Sequence, residues 1–181
     1  MSTEIDISEV ELKNLESVQK HLYQEFECER EELNKFLIED AFDYHGYGLT
    51  KTTLVFHNSE LIGFFSLSAD KIVLTNSEKA ELALNGEFPI TFFPAVKVTK
   101  LAVDKKCARK GYGSLILELI EGVVYSNELA VRFLTLDAVN EQNVITFYEK
   151  NGFVESLHEA SERRQKKRRE TILMHKDLFA D

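Results

Sequence analysis

The chain has 181 residues, a net charge of −9, 44% apolar residues and 29% charged ones. That balance belongs to a soluble globular protein long enough for a single domain, 1–181, with a sizeable core. It excludes a spanning helix, because no apolar run approaches the roughly 18 residues required, and a net acidic body does not suit a general nucleic-acid binder.

The first residues, MSTEIDISEVELKN, are acidic and carry no apolar signal core, so a cytoplasmic protein is expected. Residues 4–10 read as a short first strand. Residues 11–25 and 31–43 read as helices, the second from the spacing of Leu33, Phe36, Leu37 and Ala41. TTLVFH over 52–57 and LIGFFSLS over 61–68 read as strands joined through Asn58-Ser59-Glu60, which predicts a hairpin. Residues 70–92 mix apolar and turn signals and read as an excursion near a site.

PAVKVTKLAVD follows. Val96 and Val98 alternate on one face, and Leu101 and Val103 alternate one residue out of phase. Two readings stay open: a bulge at Thr99-Lys100, or a strand buried on both faces. The next stretch is DKKCARKGYGS, leading into a helix over 111–126 with Leu115, Leu119, Ile120, Val123 and Val124 on one side.

Gly111-Tyr112-Gly113 between a strand and that helix has the form of an anion cradle. Helix starts carry unpaired N–H groups and partial positive charge, and glycines admit a bulky pyrophosphate. The pattern is neither a Rossmann fingerprint nor a Walker A loop, since the third glycine and the Gly-Lys-Ser/Thr end are missing. On its own it reads equally as a tight strand-to-helix turn. Cys107 precedes it with no histidine nearby in sequence, so it reads as a structural thiol. Only Cys28 accompanies it and the five histidines are scattered, so neither a disulfide framework nor a metal site is expected.

VRFLTL over 131–136 is a strand, and residues 141–151 form a helix ending at Asn151-Gly152. That helix carries Phe147-Tyr148. Late strands are expected at 152–154 and 171–175. Between them RRQKKRR, Arg163 to Arg169, places six basic residues in seven. Without them the remainder carries a net −15. Three readings of this run stay open: a solvated loop, a contact to RNA or an acidic partner, and a contact to a second subunit. It has no interleaved aromatics for base stacking. Mixed strands and helices in this order predict an α/β (α+β) sheet with helices on both faces.

LAVD, KGYGS, the long helix, FLTLDA and FYEKNGF, in this order from Val96 to Val154, resemble the GNAT superfamily of N-acetyltransferases. The resemblance implies a central twisted sheet of about six to seven strands flanked by helices on both faces. It implies acetyl-CoA as cosubstrate, with no metal. The pyrophosphate would lie on main-chain N–H groups around Arg109, Lys110, Gly111, Tyr112, Gly113 and Ser114. The pantetheine arm would run beside Leu101, Ala102 and Val103, and Asn143, with Asn140 as a further candidate, would contact the cofactor. Tyr148 would be the general acid that protonates the departing thiolate. The family's Arg/Gln three residues before the first glycine is Ala108 here.

The acceptor would be a primary amine on a small molecule or polypeptide, attacking the thioester directly in a ternary complex, and a homodimer is implied. FECEREELNKFLIEDA with GFFSLSADK is further similar to toxin-type GNATs, which implies aminoacyl-tRNA as an alternative acceptor. A third reading is a CoA-binding regulatory protein without turnover.

Overall fold

The computed structural model describes residues 5–84, 90–162 and 169–180. Seven strands are hydrogen-bonded in the order β1-β2-β3-β4-β5-β7-β6: β1 Val10–Asn14, β2 Lys51–His57, β3 Glu60–Ile72, β4 Phe93–Val103, β5 Phe133–Val139, β6 Val154–Glu155 and β7 Thr171–Asp177. Helices α1 Glu31–Lys35, α2 Ala41–Gly46, α3 Asn76–Glu81, α4 Tyr112–Tyr125, α5 Gln142–Lys150 and α6 Leu157–Glu162 complete the chain. Contacts cluster into two units, Met1–Ser68 with Val98–Gly122, and Ala69–Lys97 with Val123–Asp181.

In the first unit β1 and β3 flank β2 in antiparallel ladders. The β2–β3 hairpin turns on Asn58 and Ser59, both left-handed with φ of 50° and 66°. A two-residue turn of that kind matches the right-handed twist of the strands it joins. A register shift between Val55 and Phe56 breaks the ladder just before the turn. Helices α1 and α2 are joined by a π-helical turn over Phe36–Asp40, so the helix expected at 31–43 runs on to Gly46. Phe36, Leu37 and Ala41 from this run bury with Phe26, Leu54 and Phe64, and Phe26 meets Phe64 edge-on at 5.4 Å.

The N-terminal expectations are corrected. Residues 7–9 form a single 3-10 turn, the strand lies at Val10–Asn14, and no α-helix occupies 11–25. Leu12, Leu15, Val18 and Leu22 have helical spacing, but the chain gains a five-residue ladder with β2 instead. The Asn14 side chain then accepts from the Glu16 N–H and ends the strand. Tertiary pairing overrides the local period here.

In the second unit β4 pairs parallel to β5 over three residues only, Ala95↔Phe133 to Lys97↔Thr135, while β5 continues antiparallel along β7. Phe93, Ala95 and Phe133 pack with Ile72 and Leu74. Along β4 the buried residues are Phe93, Ala95, Val98 and Ala102. The phase therefore changes between Ala95 and Val98, earlier than Thr99-Lys100, where the β4–β5 ladder ends. Val96, read as sharing a face with Val98, is half-buried while Val98 is buried. The excursion at 70–92 contains α3, which Thr75 and Glu78 close with a capping box. Residues 163–168, most of the basic run, lie outside the described residues. Arg169, at its end, pairs with Glu155 at 2.7 Å.

Candidate active site

Directly after β4 comes Asp104, whose buried carboxylate accepts from the Lys106 N–H at 2.9 Å and the Glu27 N–H at 3.4 Å. Its own N–H donates to Ile62 of β3 at 2.9 Å, so the strand end is fixed before the chain turns. Lys105–Cys107 form one 3-10 turn. The chain then reverses through two left-handed residues, Arg109 with φ 60° and Gly111 with φ 92°. α4 begins as Leu115 donates to the Gly111 carbonyl at 3.2 Å. The N–H groups of Tyr112, Gly113 and Ser114 precede that ladder and have no backbone acceptor among the described residues.

A Cβ on Gly111 would meet only Ile5 Cδ1, at 3.7 Å, so the glycine answers to its φ rather than to crowding. Arg109 and Lys110 are exposed in the same turn, and the Lys110 ammonium bonds the Lys106 carbonyl at 2.8 Å. Ala108 brings no polar side chain. Unpaired helix-start donors flanked by two cations fit a pyrophosphate. Cys107 sits in this turn as a free thiol, and burial pushes its pKa up, which keeps it protonated and poorly nucleophilic.

Leu101 and Val103 are half-buried on β4, and Ala102 is buried. Gly63 of β3 lies against the Ala102 carbonyl, so close that a Cβ there would be 2.5 Å from the oxygen. Beyond Lys97 this part of β4 has no β5 partner among the described residues.

In the second unit α5 carries the remaining sequence candidates. It stops at Gly152, left-handed at φ 84°, with Phe153 N–H on the Tyr148 carbonyl at 3.0 Å and Asn151 Nδ2 on the Phe147 carbonyl at 2.7 Å. The Tyr148 ring is half-buried between Phe147 at 5.0 Å and Phe153 at 5.7 Å, both edge-on. Asn143 is exposed on the first turn. Asn140 precedes the helix, and its Nδ2 donates to the Arg169 carbonyl at 2.8 Å, tying it to the base of the basic run.

Three groupings escaped the sequence reading, because their members lie far apart in the chain. Lys97 and Asp137 pair at 2.6 Å where the β4–β5 ladder ends. Glu78, buried, accepts from Thr75 and from the Leu157 N–H at 2.9 Å and faces buried His175 at 3.6 Å. His57 and Tyr112 bond at 2.8 Å. Among the described residues no group of three His, Cys, Asp or Glu is placed to hold a metal ion, and no helix is long and apolar enough to cross a membrane.

Residues 50–155 match the family model for the acetyltransferase (GNAT) domain. That span is more than half of the chain, which belongs to the GNAT acetyltransferase family, and its seven-stranded sheet with helices is the fold of that family. Among solved structures it is similar to AtaT complexed with acetyl-methionyl-tRNAfMet, at TM-score 0.71 and 19% identity over 91% of this chain and 93% of that one. It is also similar to a tyrosine-to-phenylalanine mutant of KacT, at TM-score 0.69 and 18% identity over 91% and 94%. A third is AtaTR bound with acetyl-CoA, at TM-score 0.65 and 19% identity over 92% and 93%. At these identities the likeness is one of fold.

Proposed function

We propose that this acetyltransferase uses acetyl-CoA and moves the acetyl group to a primary amine by direct attack. The observation that carries the reading is the turn Arg109–Ser114, with its run of unpaired N–H donors at the start of α4. These donors hold the pyrophosphate, and Arg109 and Lys110 add positive charge in place of the side chain that Ala108 lacks. The unpaired edge of Leu101, Ala102 and Val103 runs beside the pantetheine arm, and a backbone N–H there stabilises the oxyanion. Asn143, with Asn140, contacts the cofactor.

The acceptor reacts as a neutral amine, since an ammonium has no lone pair. Its nitrogen bonds to the carbonyl carbon, the C–S bond breaks, and the phenol of Tyr148 gives its proton to the thiolate. An ordinary phenol, with a pKa of about 10, is close enough to an alkyl thiol to serve.

A second reading of the acceptor has its own support. AtaT, whose fold this chain shares over nine-tenths of its length, was captured with acetyl-methionyl-tRNAfMet. On this reading the acceptor is the α-amine of an aminoacyl-tRNA, and the basic run meets its phosphates.

The test starts with calorimetric titration of acetyl-CoA, with desulfo-CoA and ATP alongside. Micromolar binding selective for the CoA compounds is expected, and failure to bind them removes the catalytic reading. Acetyl transfer is then measured to a panel of small amines, peptides and aminoacyl-tRNA. Transfer to tRNA whose KM climbs steeply with salt selects the second reading. Binding without transfer to any of them leaves a CoA-binding protein without turnover.

A further inference from the structure

Tyr112 has two parts that face different ways. Its N–H is one of the unpaired donors at the start of α4, while its hydroxyl reaches back to β2 and lies 2.8 Å from His57 Nδ1. The two rings stand 5.7 Å apart. On the far side of the imidazole, Nε2 is buried without a hydrogen-bond partner and faces a Glu9 carboxylate oxygen at 3.7 Å. Glu9 is held there by the β1–β2 ladder, which pairs Val10 with His57, and by the Asn58 N–H on the Glu9 carbonyl at 3.3 Å.

The Tyr112 hydroxyl and His57 Nδ1 share one hydrogen bond, and the Glu9 carboxylate faces the other ring nitrogen, Nε2, across 3.7 Å. Burial pushes the Tyr112 phenol upward, with Cys107 and Glu60 acting in the same sense, which keeps it an O–H donor.

The helix start needs such an anchor. Most helices secure their first turn with a Ser, Thr, Asp or Asn side chain that accepts from the first N–H groups. Here Gly111 stands before the helix and has no side chain, and a side-chain cap would consume donors that the cradle needs. Without a side-chain cap the first N–H groups of the helix are left to solvent or a ligand.

We propose that Tyr112, His57 and Glu9 form a positioning relay that holds the first turn of α4 from behind, keeping its N–H groups aimed at the CoA pyrophosphate without occupying them. This rests on the acetyl-CoA reading above. It assigns His57 and Glu9 a positioning role in the selection of CoA over shorter thioesters.

The experiment uses the full chain and compares acetyl-CoA with acetyl-pantetheine, which lacks the pyrophosphate. His57→Ala is expected to raise KM and Kd for acetyl-CoA by about 3- to 10-fold, the size of one lost hydrogen bond. kcat at saturation and the kcat/KM for acetyl-pantetheine are expected to hold. His57→Gln, whose amide can accept from Tyr112 and donate toward Glu9, should restore most of the affinity. The double variant His57→Ala/Tyr112→Phe should lose no more than the larger single effect. Equal losses with both thioesters, or unchanged acetyl-CoA affinity in His57→Ala, would overturn the relay while leaving the acetyl-CoA reading intact. A wild-type chain that does not bind acetyl-CoA removes both.

Discussion

Gly63 is the position where one methyl group tests the packing behind the proposed cofactor edge. In Gly63→Ala the new Cβ would stand 2.5 Å from the Ala102 carbonyl oxygen and 2.8 Å from Ile116 Cδ1. An ordinary carbon–oxygen contact is about 3.3 Å or more, so the two strands must part by about 0.8 Å. Ile116 can rotate, but the carbonyl belongs to the backbone of β4 and cannot. Overpacking of this kind costs about 1–3 kcal/mol, and a backbone clash lies at the upper end. The stiffer unfolded chain of the alanine variant offsets about 0.4–1 kcal/mol of it. The net expectation is a loss of about 2–2.5 kcal/mol, which lowers Tm by about 4–10 °C in a chain of this size. Gly122→Ala is the control. It lies on the exposed side of α4 with nothing within 4 Å, and it should gain about 0.8–1 kcal/mol from helix propensity. Thermal and urea melts of both variants read the difference, and KM for acetyl-CoA should rise in Gly63→Ala because Leu101–Val103 are displaced. A Gly63→Ala protein that melts within a degree of wild type would refute the close approach of β3 to β4.

Further outcomes follow from the same geometry. Tyr148→Phe keeps the ring contacts to Phe147 and Phe153, so it should fold normally and bind acetyl-CoA as before, while kcat falls roughly 10²–10⁴-fold; an unchanged kcat removes Tyr148 from the mechanism. Gly111→Ala has room for its methyl, but a φ of 92° costs a side chain about 1–2 kcal/mol. The turn relaxes, and calorimetry should show weaker acetyl-CoA binding than in Gly122→Ala; equal affinity would mean the phosphates lie elsewhere. Acid should destabilise the fold through two buried imidazoles. His45 accepts the Thr52 N–H on Nδ1, and burial lowers its pKa first, helped by Lys51; burial likewise lowers that of His175, against the pull of Glu78 and Asp177. With folded values depressed, the unfolded chain takes up these protons first. Their contribution is therefore complete above about pH 6.5 and is lost as pH falls below it, by up to about 1.4 kcal/mol per unit for each imidazole. Urea melts between pH 7.5 and 5.5 should show the decline, and His175→Asn should flatten it; an equal slope in the variant would clear His175.

How much of this was legible in the sequence depends on how local each feature is. The strand, turn and helix around Gly111 are contiguous, and backbone donors announce themselves through the glycines that shape them. The left-handed pair Asn58-Ser59 between two apolar runs was legible for the same reason. β1 was not, because its pattern also fits a helix and the ladder that decides the matter comes from residues 53–57. Asp137 and Glu78 were hidden among 31 carboxylates, and only the fold brings Lys97 to the first and Leu157 and His175 to the second. The contrast extends to the chemistry. A phosphate can be held by consecutive N–H groups, so its site is written in one stretch of chain. The amine that attacks must be met by side chains drawn from separate strands and helices, so the acceptor is the part of the function that a linear reading fixes last. Screening acceptors against the folded chain, rather than scanning for further motifs, is the step that separates a small amine from aminoacyl-tRNA.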